Sequence, residues 1–554
     1  MRPSRREFMA GAASLPLALG CSGGAPSGGA VTSCMVATSQ RYATDAGLAI
    51  LREGGNAADA AVAAAAALNL TEPMSTGLGG DMFALFYEAA TKSVTALNGS
   101  GRAPAALSLD LLRKQGLDPL PAHHAHNVTV PGACAGWFDL IARHGSLPMA
   151  RILAPAIRLG EEGYAVASHT AHGWAGGRSM LKGPGERDLT IDGRAPREGE
   201  TFRNPSLART FRAIGAGGRD AYYKGEIGRA VVEAVRKAGG VLSAEDLAAH
   251  ESTWVEPIST TYRGMRVWEC PPNGQGITAL IALNILEGFD LKGQDPAGPE
   301  RWHLLIEAMR IAFADTRWYV ADPQFSKIPA AELLSKEYAE KRRALFDPKR
   351  ATVDVRRGSP VAGSDTVYFC AVDGRGNACS FINSNYMGFG TGIVPQGCGF
   401  TLQNRGACFV TEPGHPNALA PRKRPYHTII PGMMTRADGS LYAPFGVMGG
   451  FMQPQGHVQV VTGIVDDGLE PQPVLDRPRF CIQPVDGAES RVHLEAGLPA
   501  ATVAALRERG HLLVPGVSGF GRALFGRGQV IRRDPGGSLT GGSDPRADGC
   551  AKPV

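Results

Sequence analysis

None of the ten cysteines in this 554-residue chain belongs to a C-x-x-C pair, and Cys370, Cys379, Cys398 and Cys408 are spaced as strand residues rather than as zinc ligands. Basic residues form no long run after the N-terminal segment and the net charge is only +5, which argues against a nucleic-acid partner. The Gly-rich turn in "STGLGGDMFALFY" lacks the lysine of a phosphate loop and precedes a strand instead of a helix, so it reads as a turn. His123, His124 and His126 have no acidic partner at helical spacing and read as a solvated loop. No metal or other cofactor is expected. No internal repeat is evident. What the chain does have is 72 glycines and ordinary globular composition, 44% hydrophobic and 20% charged, at a length that calls for two domains or one large layered domain.

The first residues speak to location. Arg5 and Arg6 precede an apolar stretch from Phe8 to about Gly20, too short to span a bilayer as a mature helix and fitting a twin-arginine export signal over 1–21. The ending Ala18-Leu19-Gly20-Cys21 matches a lipoprotein processing box, and residues 22–33 form a Gly/Ser-rich tether. An exported protein is expected, periplasmic or membrane-anchored through Cys21, with simple signal cleavage and an incidental cysteine as the other reading.

In "ATDAGLAILREGGNAADAAVAAAAALNL" two helices are broken at Gly54-Gly55, Asn56 suits the cap of the second, and the Ala-rich second helix is apolar on most faces and should be buried. A strand follows from Met82 to Tyr87. "HNVTVPGACAGWFDLIARHG" reads as strand, turn and helix. Helical patterns dominate from Pro148 to Phe346, and strand patterns dominate from Thr366 onward. No Pro/Ser linker separates the two parts, so both should belong to one fold.

Residues Val367 to Val372 are apolar or aromatic on both alternating faces, the mark of a strand buried on both sides, and "DGRGN" with "ACSFINSN" makes its hairpin partner. Thr366 opens that strand. Threonine is an ordinary strand former, but cutting the Asp365-Thr366 bond would give Thr366 a free α-amine beside its own hydroxyl. Such an amine titrates near ~8, so one residue would hold both nucleophile and base.

Here the chain resembles the gamma-glutamyltranspeptidase family of N-terminal-nucleophile hydrolases. The matching segments are "MVATSQRYATDAGLAILREGGNAADAAVA", "VPGACAGW", "LSAEDLAAHES", "FADTRWYVADP", "GFGTGIV", "KRPYHTIIP", "GVMGGFMQPQGH" and "GGSDPRADGCA". The resemblance implies a four-layer αββα sandwich made as a proenzyme and cut between Asp365 and Thr366. Residues 34–365 would form the large subunit and 366–554 the small catalytic one, both within one domain. It implies a γ-glutamyl-type, glutathione-like amide as the small-molecule substrate, an acyl-enzyme on Thr366, and water or an amine as acceptor. Ser384 takes the place of the hydroxyl that orients the nucleophile, and Gly449-Gly450 that of the oxyanion donors.

The family's substrate-binding side chains are largely replaced. Its carboxylate-binding arginine falls at Ser100, with Arg102 two residues on; its facing-strand Asn becomes Tyr386; Arg405 and Cys408 replace a Gln and an Asp; His427 and Thr428 replace paired serines. The segment between Pro416 and Lys423 is short, implying an open site. Without that Asp an α-ammonium has no counter-charge, whereas Arg405 would attract an acid or else serve a structural ion pair. The alternatives to a γ-glutamyl substrate are therefore acyl groups lacking the α-amine, of glutaryl, oxamate or cephalosporin-side-chain type. An exported binding protein that kept the fold and lost the chemistry is the further alternative.

Overall fold

The computed structural model describes residues 33–352, 365–484 and 490–554. The signal over 1–21, Cys21 and all but the last residue of the tether lie outside the described residues. Among those described, no helix is long and apolar enough to cross a membrane, and no disulfide joins the nine cysteines.

Two antiparallel sheets form the centre. The first has seven strands, in the order Cys550–Pro553, Met35–Thr38, Asp365–Val372, Ala378–Tyr386, Asp81–Glu88, Ser93–Gly99 and Thr253–Val255. The second has six: Leu539–Ser543, Arg527–Arg533, Leu441–Met448, Gly432–Thr435, Met265–Glu269 and Ile258–Tyr262. Both sheets combine strands from before and after Thr366, and in the first the two sets interleave. Ladder hydrogen bonds and a common core therefore join the two parts whether or not the chain is cut.

The strand Asp365–Val372 packs through one face on the second sheet, against Leu441–Met448 and Arg527–Arg533, and through the other on the helix Ala57–Thr71. That accounts for its lack of alternation: Val367 through Val372 are all buried. The helix is buried along its whole length, and its small side chains let it lie close on the sheet. Asn56 caps it as its sequence requires, accepting from the Ala58 and Asp59 amides while Asp59 accepts from the Asn56 amide, which satisfies orphan donors of the first turn. On the far side, Gly276–Leu286 and Met452–Val465 cover the second sheet. The order is helix, sheet, sheet, helix, the layered fold expected.

Two local expectations fail, and one stretch holds more strand than its pattern shows. No strand forms at 127–130. The preceding histidines are not solvated throughout either: His126 is buried, its Nε2 lies 2.7 Å from Gln115 Oε1, and its ring packs on that of His124. Helices do dominate 148–346, but three strands lie between Thr253 and Glu269: Thr253–Val255 and Ile258–Tyr262 form an edge of each sheet, and Met265–Glu269 lies next to the edge of the second. They are three to five residues long, too short for a period of two to stand out.

Candidate active site

Thr366 sits at the start of a central strand, 1% exposed. Its hairpin partner is regular from Ala378 to Asn383, then a bulge lets Tyr386 pair with Asp365, and Tyr386 takes a positive φ of 79°. A bulge re-aims the side chains beside it. Here it brings Ser384 Oγ to 3.1 Å from Thr366 Oγ1, and the Tyr386 amide donates to that Ser384 oxygen at 2.8 Å. The nitrogen of Thr366 is still the amide of an intact peptide bond, so this geometry is that of the precursor.

Arg405 closes the group. Its Nη2 donates to Ser384 Oγ at 3.1 Å, its Nη1 donates to Thr428 Oγ1 at 2.7 Å, and its guanidinium lies 4.5 Å from the Tyr386 ring centre. Cys408 Sγ is 3.9 Å from Nη1. The arginine is fully buried, yet among the described residues no carboxylate comes within ion-pair distance of it, and its Nε has no partner. The ion-pair reading of Arg405 therefore finds no partner among the described residues, and a cation lies within two hydrogen bonds of the Thr366 hydroxyl.

Gly449-Gly450 forms the turn between the strand Leu441–Met448 and the helix Met452–Val465, with φ of 127° and 61°. A side chain would be strained at both angles. The Gly449 carbonyl accepts from the Met452 amide and the Gly450 carbonyl from the Gln453 amide and from Gln275 Nε2.

Two expected substrate-binding residues are committed elsewhere. Arg102 does not reach this group: its Nη1 lies 3.4 Å from both Asp322 Oδ2 and the Arg422 carbonyl. His427 is fully buried, with Nε2 3.1 Å from Asp81 Oδ2 and Nδ1 accepting from the Ile429 amide at 3.3 Å. Burial first, and the nearby Arg405 charge second, push this imidazole down to about 3, so it is neutral and donates through Nε2. Asp81 also accepts from the Gly101 and Gly132 amides and from Gln403 Nε2. Burial alone would raise its pKa, but His427, Arg405 and Gln403 outweigh it and hold the carboxylate below its usual range. Ser100 is likewise occupied, accepting from Asn273 Nδ2 at 3.1 Å. Asp81, Gln275 and Gln403 were missed in the sequence reading. Asp81, directly after Gly79-Gly80 at a strand start, left the one usable signal.

A cavity of about 620 Å³ adjoins the group, its wall including Tyr386, Cys408, Phe451, Arg317, His415 and Leu419. It meets the Arg405 group at Tyr386 and Cys408, and neither Thr366 nor Ser384 lines it.

Among the described residues one set could hold a metal, His303, Glu307 and His511. Some of its ligand atoms are already bonded: His303 Nδ1 lies 2.7 Å from His511 Nε2 and the Glu307 carboxylate accepts from the Thr352 amide, with Arg310 3.9 Å from Glu307, while Glu307 Oε1 and His511 Nδ1 accept no hydrogen bond from the described residues.

Burial pushes His250, His427 and His511 down to about 3. Each binds its proton more readily in the unfolded chain, near ~6.5, so stability is complete above that pH and falls as the pH drops toward the folded values. Each contributes up to about 1.4 kcal/mol per pH unit in that window. Denaturant midpoints should fall clearly from pH 7.5 to pH 5.0, and equal midpoints would contradict neutral burial.

The matched family model is Gamma-glutamyltranspeptidase, over residues 43–554. The glutathione hydrolase-like YwrD proenzyme of Bacillus subtilis is 36% identical over 94% of this chain and 98% of its own length. The oxamate amidohydrolase proenzyme of Klebsiella pneumoniae is 34% identical over the same shares. The crystal structure of cephalosporin acylase from Bacillus halodurans superposes with a TM-score of 0.87 at 42% identity, covering 98% of this chain and 99% of that one. By the span of these matches and the fold they share, the chain belongs to the gamma-glutamyltranspeptidase family and is a hydrolase made as a proenzyme.

Proposed function

We propose that this enzyme cuts itself between Asp365 and Thr366 and then hydrolyses amides whose acyl group carries a carboxylate and no α-ammonium. The observation that carries the reading is Arg405, a buried cation without a carboxylate partner among the described residues, bonded to the hydroxyl that touches Thr366. The ionised Asp81 acts on this guanidinium through space without touching it, and a substrate carboxylate would supply a counter-charge in direct contact, with two parallel hydrogen bonds.

After self-cleavage Thr366 Oγ1 attacks the substrate carbonyl and its proton passes to the Thr366 α-amine, with Ser384 holding the hydroxyl in line. The tetrahedral oxyanion forms against the amides of Gly449-Gly450. Its C–N bond breaks, the leaving amine takes the proton, and an ester on Thr366 remains. Water adds to that ester, gives a proton to the α-amine, and releases the acid with the hydroxyl restored. Thr428 orients Arg405. Tyr386 stacks on its guanidinium and, with Cys408, forms the wall toward the cavity.

The likeness to an oxamate amidohydrolase agrees with an acyl group of this type. The Bacillus subtilis relative favours a glutathione-like γ-glutamyl substrate instead. Such a substrate needs an acceptor for its ammonium, and Arg405 is the wrong charge for that. Steady-state assays of matured protein on glutaryl and γ-glutamyl anilides decide between them. Both compounds carry the carboxylate, so the difference lies in the ammonium buried without an acceptor, and at least a roughly tenfold higher kcat/KM for the glutaryl compound is expected. Preference for the γ-glutamyl compound would overturn the reading. The twin-arginine start supports export, to the periplasm or to a membrane anchor at Cys21, which cell fractionation checks.

A further inference from the structure

One buried side chain bridges the two segments that this chemistry brings together. Gln275 is fully buried immediately before the helix Gly276–Leu286. Its Nε2 carries two hydrogens and spends both: it donates to the Thr428 carbonyl at 2.7 Å and to the Gly450 carbonyl at 2.8 Å. Its Oε1 accepts from the Tyr426 hydroxyl at 2.9 Å, and its amide donates to the His427 carbonyl at 3.0 Å. Apart from its carbonyl, which accepts from the Thr278 amide within the helix, its partners lie on 426–428, whose Thr428 hydroxyl receives Arg405, and on the Gly449-Gly450 turn. Gln453 ties the same two regions, accepting from the Ile430 amide at 2.9 Å.

We propose that Gln275 is a positioning residue for acyl transfer, setting the distance between the Arg405 end of the acyl group and the donors of the 449–450 turn. The inference rests on the function proposed above. Gly450 has no side chain to fix its dihedrals and takes a positive φ, so a bond to its carbonyl fixes the peptide that follows and, through it, the turn. Oxyanion donors act only when preorganised, and a misplacement of about 1 Å costs on the order of a hundredfold.

Gln275→Met keeps the length of the side chain and removes both donors and the acceptor. In matured protein kcat on a glutaryl anilide should fall roughly 30- to 100-fold while KM changes less than about threefold. Affinity for an alkyl boronic acid, which forms a tetrahedral adduct with the nucleophile, should fall by a similar factor. Tyr426→Phe keeps the ring and removes the hydroxyl that orients the Gln275 amide, and a loss of roughly two- to fivefold in kcat is expected. If Gln275→Met remains uncut, kcat of Tyr426→Phe decides. A purely structural role would lower the melting temperature and leave kcat well below it unchanged. Wild-type kcat and boronate affinity in Gln275→Met, or wild-type kcat in Tyr426→Phe where the former is uncut, would overturn this inference alone. A wild type that hydrolyses no acyl anilide would instead count against the function reading.

Discussion

Thr366→Ala yields a single uncut chain on a denaturing gel and no measurable amide hydrolysis, where the wild type gives two fragments. The hydroxyl is the group placed to attack the carbonyl on its own N-terminal side, and the α-amine that later acts as base exists only once that bond is broken. The substitution removes one buried hydrogen bond, to Ser384 at 3.1 Å, worth about 1 kcal/mol, so the variant folds. Both sheets combine strands from either side of Thr366, so the uncut chain loses no part of its core. Thr366→Ser retains hydroxyl and amine and should still mature. Two fragments from Thr366→Ala would show that another residue makes the cut.

Arg405→Met changes which acyl group is accepted. Charge-assisted hydrogen bonds contribute about 1.5–3 kcal/mol, which corresponds to roughly 10- to 150-fold in kcat/KM for a glutaryl anilide. A butyryl anilide, similar in length and uncharged, should lose little or gain, because the guanidinium it had to desolvate is gone. Arg405→Lys keeps the charge but not the fork that reaches Ser384 and Thr428 together, so it should fall between the two. Arg405 also helps hold Asp81 ionised, so part of any loss will be common to both substrates. The selectivity ratio removes that part. An unchanged ratio would mean that Arg405 braces Ser384 and never meets substrate.

The nucleophile strand was legible in the sequence because its apolar residues run without alternation from Val367 to Val372, and the hairpin because a Gly-rich turn separates two apolar runs. The Ala-rich helix was legible from its composition and its Asn56 cap. These signals are local, and the layers followed from them. The site was less legible, because its bonds join residues far apart in the chain. Nothing near His427 marks Asp81, 346 positions away, as the carboxylate that would occupy its ring. Arg102 was considered for its nearness to Ser100, but its partner Asp322 comes from beyond the helix Pro299–Tyr319. Arg405 stood out only as a departure from the family pattern, and whether it carried an ion pair depended on contacts no spacing encodes. Gln275 left no local signal, since its partners Thr428 and Gly450 come from two later segments.

Intact-mass analysis of the purified protein, before and after rapid quenching with a glutaryl anilide, tests the central claim most directly. The account predicts a small fragment that begins at Thr366 and gains one glutaryl group on that residue. An uncut chain, a fragment beginning elsewhere, or an acyl group on any other residue would contradict it.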